Sequence, residues 1–376
     1  MKDIRDILDW QAGADTGARE RVLATVVKTI GASYRRPGAR MLIVGGERAV
    51  GAISGGCLEQ DIVARAARLK NSPRPLLVAY DSQQEQELVF GAATGCGGIV
   101  WVLIENLNAS ATFDYLPAVR AQLERRHTCA LATVIQSDSE RARTGQHLVF
   151  GADVEPAGDI TAADLRGQLL EDARAAFAGG KTSIKTYAAQ DDPSSMVEVL
   201  LEIIPPPVAL LICGGGHDAQ PLVEFAKQLG WSVTVVDHRP AYADAARFPT
   251  ADRVVLSRPE KILDHVQADA RTAAVVMTHN FNLDAELLRQ LLPTPVGYLG
   301  LLGAGARTTQ LLNYLSADER DQFARERGGR LYSPAGLNIH SETSAEVALA
   351  IVAEVQAVMH GRAGGSLRDE RRRIHD

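Results

Sequence analysis

The sequence predicts an α/β protein, with a Rossmann-like doubly wound parallel sheet in its C-terminal part and an α+β domain before it. Three observations carry this. After residue 207 short apolar runs alternate with helical patterns; the first run ends in a glycine turn, Gly214 to Ala219; and the two regimes meet at Pro205, Pro206 and Pro207. Strands that alternate with helices need crossover connections, which give a parallel sheet covered on both faces. Consecutive prolines continue neither a helix nor a central strand. The expected domains are therefore 1–204 and 208–360, joined by a proline linker at 205–207 and followed by a tail over 361–376.

The 376 residues give room for two or three domains, and 46% apolar with 23% charged residues is ordinary globular composition. A net charge of −6 offers no general attraction to a nucleic-acid backbone or an anionic membrane. No apolar run reaches the roughly 20 residues of a membrane span, and the charged N-terminal segment lacks a signal-peptide core. A cytoplasmic protein is expected, with a homodimer as the base-rate assembly. Cys57, Cys96, Cys129 and Cys213 are too scattered for a disulfide framework and contain no C-x-x-C pair.

In the N-terminal part, strands are expected at 21–30, 40–44, 76–80, 99–105, 128–135 and 196–204, with helices at 58–69 and 165–177. In the C-terminal part the order is strand 208–213, helix 220–229, strand 232–237, strand 253–256, strand 273–278, helix 284–292 and strand 296–302. A closing helix over 342–359 follows Ser341 and Thr343, both suited to capping. No internal repeat is visible.

The turn after the strand at 208–213 has the order G-x-G-x-x-A over Gly214, Gly215, Gly216, His217, Asp218 and Ala219. In a dinucleotide fold the first glycine makes the turn, the second admits a pyrophosphate to the backbone, and the small last residue lets helix and strand approach. Asp237 ends the next strand, where a carboxylate accepts from a ribose 2′-hydroxyl; that favours NAD over NADP, with Arg239 able to offset the preference. His217 and His279 follow the two strands that flank the switch point, so both imidazoles are expected at one crevice. With no third ligand evident, no metal is assigned.

Cys57 lies in Ile53-Ser-Gly-Gly-Cys-Leu-Glu59, a glycine turn that opens a helix, and Cys96 lies in Thr94-Gly-Cys-Gly-Gly98. Helix N-termini favour thiolates, and glycine-rich turns are poor places to bury a side chain, so both are candidate functional thiols. Cys129 and Cys213, inside apolar strands, read as packing residues.

With these loops in hand, the chain resembles the XdhC/CoxI family, accessory proteins associated with xanthine dehydrogenase and related molybdenum hydroxylases. The resemblance rests on Gly31-Ala-Ser-Tyr-Arg-Arg-Pro-Gly-Ala-Arg-Met41, the two cysteine loops, Gly214-Gly-Gly-His-Asp218, Val235-Val-Asp-His-Arg-Pro240, Met277-Thr-His279, Gly300-Leu-Leu-Gly303 and Ser333-Pro-Ala-Gly-Leu337. It implies a cofactor chaperone rather than an enzyme. Such a protein holds molybdenum cofactor (molybdopterin), protects it while its terminal sulfido ligand is installed, with a cysteine desulfurase as a sulfur-donating partner, and passes it to a xanthine dehydrogenase-type hydroxylase. Arg35, Arg36 and Arg40 are candidate phosphate contacts, as is Arg307 in a segment otherwise rich in small residues. Asn280 stands where the family often has an acid. The competing reading, from the Rossmann pattern alone, is an NAD(P)-dependent oxidoreductase.

Overall fold

The computed structural model describes residues 2–13, 20–69, 72, 74–81, 98–109, 112–151, 154–188, 194–326 and 329–369. They fall into two compact units, Met1–Pro206 and Pro207–Asp376.

The first unit begins with α1 (Lys2–Gly13), β1 (Arg21–Ile30), β2 (Arg40–Val44), β3 (Glu47–Gly51), α2 (Glu59–Arg68), β4 (Leu76–Asp81) and β5 (Ile99–Asn106). It continues with α3 (Leu116–Glu124), β6 (Cys129–Ser137), β7 (His147–Phe150), β8 (Ala157–Gly158), α4 (Ala163–Gly179), β9 (Ser183–Ala188) and β10 (Met196–Ile204). The second run repeats the first, element for element. Each forms a five-stranded antiparallel sheet, ordered β3-β2-β1-β5-β4 and β8-β7-β6-β10-β9.

The repetition extends to register. Leu23 stands between Leu42 and Glu105, as Leu131 stands between Val149 and Glu202; Thr25 faces Arg40, as Thr133 faces His147. Both central strands pass over one residue in their pairing, Val27 and Ile135. Gly38 and Gly145, at φ +95° and +82°, donate their N–H groups to Val26 and Val134 at 2.8 and 2.9 Å. The Tyr80 hydroxyl donates to Asp61 of α2 at 2.6 Å, and Tyr187 donates to Asp172 of α4 at the same distance. The expectation of no internal repeat is thus corrected. Many of these duplicated positions keep residue identity as well as register, among them Leu23 and Leu131, Thr25 and Thr133, Gly38 and Gly145, and Tyr80 and Tyr187.

Strand alternation explains the layers. Ala24, Val26, Met41 and Ile43 pack under Ile62 and Ala66 of α2; Ala132, Val134, Leu148 and Phe150 pack under Leu165, Leu169 and Ala173 of α4. The opposite faces meet each other, Leu23 and Leu42 clustering with Leu131 and Val149, and Val27 and Leu103 with Ile135 and Leu200. Two buried acid–base pairs cross this interface, beside the part-buried Lys28–Glu198 pair at 2.6 Å. Arg40 binds both carboxylate oxygens of Glu202, Nη1 at 2.9 Å from Oε1, while His147 Nε2 lies 2.7 Å from Glu105 Oε1. Arg40, His147 and Glu105 are each about 1% exposed. Arg40 Nε also donates to the Tyr115 hydroxyl at 3.0 Å. Burial works against the guanidinium charge, but Glu202 and then Tyr115 more than offset it, holding Arg40 well above its ordinary value.

The second unit runs β11 (Ala209–Cys213), α5 (Ala219–Gln228), β12 (Ser232–Asp237), β13 (Arg253–Leu256), β14 (Thr272–Val276), α6 (Phe281–Leu291), β15 (Tyr298–Leu301), α7 (Gly305–Tyr314), α8 (Ala317–Glu326), β16 (Leu331–Tyr332) and α9 (Ser344–Met359). Its sheet is parallel throughout, ordered β13-β12-β11-β14-β15-β16, so strand order reverses between β11 and β14. The Rossmann-like sheet and the α+β first unit are those read from the sequence. Two apolar clusters fill the sheet's faces, one closed by Ile351 and Val355 of α9, the other by Leu287, Leu288 and Leu291 of α6. Of the two expected caps, Thr343 caps α9, in a capping box with Glu346. Helix α6 starts three residues earlier than expected because the Asn280 side chain accepts from Asn282 and Leu283 N–H groups at 3.0 and 3.2 Å. Among the described residues no helix is long and apolar enough to cross a membrane.

Truncating one member of a buried ion pair strands the other. Glu202→Ala is expected to cost about 3–5 kcal/mol in urea unfolding, whereas the double replacement Arg40→Leu with Glu202→Leu costs less. Equal losses would show that Arg40 acts by packing alone.

Candidate functional site

The loop joining β3 to α2 is built around a buried carboxylate. Glu59 Oε1 accepts from the Ile53 and Ser54 N–H groups at 3.2 and 2.8 Å, and Oε2 accepts from the Ser54 hydroxyl at 2.6 Å and the Leu58 N–H at 3.2 Å. Burial alone raises the carboxyl pKa, yet the hydrogen bonds led by Ser54 prevail and hold it below the usual 4.5. With its proton given to Glu59, the Ser54 oxygen accepts from the Gly56 N–H at 3.1 Å and lies 3.4 Å from Cys57 Sγ. Gly56, at φ +122°, turns the chain. Cys57 is exposed at the start of α2, whereas Cys129 and Cys213 are buried. Burial pushes the Cys129 thiol up to about 12 and Cys213 higher still.

The 31–41 segment lies beside this loop. The nearest atom to a Cβ placed on Gly55 is Tyr34 Cε1, at 4.0 Å, and one on Gly98 would meet the Ala32 carbonyl oxygen at 2.3 Å. Tyr34 is 67% exposed. Arg36 is exposed, Arg35 pairs with Asp3 of α1, and Arg40 is buried against Glu202 and Tyr115, which corrects its expected role at a phosphate. Cys96 lies outside the described residues. Seven residues (52–58) join β3 to α2, against four (159–162) between β8 and α4; seventeen (82–98) separate β4 from β5, against seven (189–195) between β9 and β10. Both candidate thiols sit in extensions that the second copy lacks.

In the second unit, the loops after β11 and β14 touch. A Cβ on Gly214 would lie 2.5 Å from the Met277 carbonyl oxygen, and His279 Nε2 lies 2.7 Å from Asp218 Oδ2. His279 is held at φ +56°, and His217 is exposed nearby in sequence. Ala219 is buried at the start of α5, allowing the close helix approach that its size suggested.

Gly215, between the two glycines of the pattern, is buried, and a Cβ there would lie 2.5 Å from the Tyr242 carbonyl oxygen, so the chain's own backbone packs against it. A Cβ on Gly216 would meet Asp218 Oδ1 at 2.4 Å. Asp237 accepts the Gly215 N–H at 2.8 Å and both Nε and Nη2 of Arg239, and its side chain is 1% exposed. Instead of meeting a ribose, it braces the turn. Burial tends to raise its pKa, and Arg239 and Gly215 outweigh this, leaving it below the ordinary value. Arg307 binds Asp284. Among the described residues no three His, Cys, Asp or Glu side chains group as a metal site. Asp284, Tyr242 and Ser54 escaped sequence reasoning; only Ser54 and Glu59, on either side of the Gly-Gly-Cys turn, left a signal.

The comparisons agree with these two units. The family model of the XdhC Rossmann domain matches residues 210–355, and that of the XdhC and CoxI family matches residues 16–81 and 122–188, one stretch in each copy of the repeat. The chain is 32% identical over 336 residues to a probable xanthine dehydrogenase subunit of Bacillus subtilis, covering 89% of this chain and 92% of that protein. It is 23% identical to the molybdenum cofactor insertion chaperone PaoD of Escherichia coli, over 95% and 89% of the two chains. A crystal structure titled a xanthine dehydrogenase from Bacillus halodurans superposes with a TM-score of 0.75 at 28% identity, covering 98% of each chain. Sequence, repeat and Rossmann sheet together place the chain in the XdhC and CoxI family.

Proposed function

We propose that this protein is a maturation factor for a molybdenum hydroxylase: it binds molybdenum cofactor as cargo at the Cys57 loop, guards it during sulfuration, and hands it to a xanthine dehydrogenase-type enzyme. The observation that carries this reading is the exposed Cys57 thiol on a loop fixed by buried Glu59, in an extension the second copy of the scaffold lacks. A soft thiol suits molybdenum or sulfur as a partner. The names of its relatives, a molybdenum cofactor insertion chaperone and a probable xanthine dehydrogenase subunit, support the same cargo. Arg36, exposed in the neighbouring segment, is the proposed phosphate contact, and Arg35 joins it on release from Asp3. On this reading a cysteine desulfurase supplies the sulfur, and the working assembly is a homodimer. No observation favours the NAD(P)-dependent oxidoreductase, since Asp237, the carboxylate expected at a ribose, is engaged by the Gly215 N–H and Arg239.

The test is cofactor retention. Cys57→Ala is expected to keep the wild-type melting temperature, yet lose most of the molybdenum and pterin fluorescence that the loaded wild-type protein retains, and to fail in activating an apo-hydroxylase. Wild-type retention would refute the loop as the cargo site. In the native protein iodoacetamide is expected to modify Cys57 but neither Cys129 nor Cys213, as read by peptide mass mapping.

Glu59 sets the pH limit of this loop. Because its folded pKa is depressed, its stabilisation is complete above the unfolded value near 4.5 and is lost as pH falls through the lower folded value. Limited proteolysis with an acid-active protease should begin to cut the loop in that acid window, and Glu59→Gln should make the loop cleavable at neutral pH. A proteolysis pattern unchanged by Glu59→Gln would assign the loop's order to other contacts.

A further inference from the structure

The turn that carries Tyr34 and Arg36 is held from the other copy of the repeat. Arg40, at the end of that turn, donates four hydrogen bonds: Nη1 to the Gly38 carbonyl at 2.8 Å and to Glu202 Oε1 at 2.9 Å, Nη2 to Glu202 Oε2, and Nε to the Tyr115 hydroxyl at 3.0 Å. Glu202 lies on β10 and Tyr115 precedes α3, so both anchors belong to the second copy. Gly38 is fitted against the acid: at φ +95° it turns the chain, and a Cβ on it would lie 2.6 Å from Glu202 Oε1. The rest of the turn closes on itself. The Ser33 hydroxyl donates to the Arg35 carbonyl at 2.7 Å, the Ala39 N–H to the Arg36 carbonyl at 3.1 Å, and the Gly38 N–H to the Val26 carbonyl at 2.8 Å. Tyr34 and Arg36 are thus exposed on a turn whose backbone is fixed.

The second copy shows which of these contacts the interface itself requires. There His147 stands in place of Arg40, and Gly145 in place of Gly38. Glu105 and Thr133 take both nitrogens of the imidazole, so the His147 side chain has nothing left for the Gly145 carbonyl. A crossed acid–base pair therefore closes the interface without touching the turn. The Arg40 fork makes the same crossing with donors to spare, and one of them reaches the Gly38 carbonyl beyond it. That extra bond serves the turn. It occurs in the copy whose extended loops carry the candidate thiols, and Tyr34 of the same turn is the nearest neighbour of Gly55 in the Cys57 loop.

We infer that Glu202, acting through Arg40, is a positioning residue of the cargo site: it fixes the turn at Gly38 so that Arg36 is presented beside the Cys57 loop. Glu202 is buried in the interface and acts only by aiming one guanidinium at the Gly38 carbonyl. The second copy, whose short loops at 159–162 and 189–195 hold no cysteine, shares in the site by holding the first copy's turn in place. The inference rests on the reading of the Cys57 loop as the cargo site with Arg36 as a phosphate contact.

The test compares full-length Glu202→Gln with Glu105→Gln, the matched change in the other crossed pair. Both variants are expected to melt below the wild type, so the comparison is made at a temperature where both are folded. Trypsin reads the turn directly, because it can cut after Arg35 whereas Pro37 protects the bond after Arg36. In Glu202→Gln, cleavage after Arg35, located by peptide mass mapping, should be at least about tenfold faster than in the wild type, and retention of molybdenum and pterin by the loaded protein should fall about tenfold. Glu105→Gln should change neither. Arg40→Lys, which keeps a charge beside Glu202 but loses the fork, should behave as Glu202→Gln and decides the matter if that variant does not fold. Wild-type cleavage or retention in these variants, or the same changes in Glu105→Gln, overturns the positioning role. A wild-type protein that retains no cofactor refutes the cargo reading and the inference with it, whereas equal retention by wild type and Glu202→Gln refutes the inference alone.

Discussion

The first unit depends on the crossed pairs of basic and acidic side chains between its two sheets. Arg40 and Glu105 come from one copy of the repeat, and His147 and Glu202 from the other. Arg40 reaches Glu202 while Glu105 reaches His147, so each copy gives its basic group to the other's acid. This is the contact pattern of a symmetric dimer interface, in which residue i meets residue j and j meets i, here formed within one chain. The apolar residues around it obey the same exchange, and their burial supplies the favourable energy. The charges set which register of the two sheets is allowed, because a sheet displaced by one residue would turn Arg40 or Glu202 toward the apolar layer under a helix.

That constraint also explains how the loops of the two copies diverge. The strands, the bulges at Val27 and Ile135, and the tyrosine–aspartate bonds to α2 and α4 are common to both, so they belong to the scaffold. What remains after subtracting them is the pair of extensions in the first copy that carry Cys57 and Cys96. In the Cys57 loop, Glu59 satisfies three backbone N–H groups and a hydroxyl, which gives an exposed turn the order of a buried one. An exposed thiol at the end of such a turn is held by the scaffold without being shielded by it.

Much of this is legible in the sequence, and the exceptions have physical reasons. Strands such as 21–30, 40–44 and 196–204 announce themselves because both faces are covered, giving apolar runs. The Rossmann order follows from alternation and from the prolines. Helices α1 and α8 are rich in charge, and β8 and β16 are two residues each, so neither periodicity nor composition marks them. The repeat is hidden because the residues its copies share, such as Leu23 and Leu131 or Tyr80 and Tyr187, are scattered between loops of different length, while others differ: Leu42 answers to Val149, and Arg40 to His147. Glycine context alone marks the candidate thiols. In the glycine turn of the second unit, Gly214 and Gly215 record close approach without saying what approaches. Here it is the chain's own backbone at Tyr242 and Met277.

The exchange of arginine for histidine between the copies has a consequence that can be traced atom by atom. A guanidinium presents a fork and satisfies both oxygens of Glu202. An imidazole presents a single nitrogen on each side, so His147 meets only Oε1 of Glu105 and leaves Oε2 buried without a partner among the described residues. Its other nitrogen, Nδ1, pairs with Thr133 Oγ1 at 3.1 Å. In the first copy the equivalent threonine, Thr25, finds no such partner, and its hydroxyl is the buried orphan there. One unsatisfied polar atom thus lies beside each base, Glu105 Oε2 beside the histidine and Thr25 Oγ1 beside the arginine, and both belong to the first copy. Neither base satisfies everything around it, because a fork fits the carboxylate but not the threonine, and a ring fits the threonine at the expense of one carboxylate oxygen.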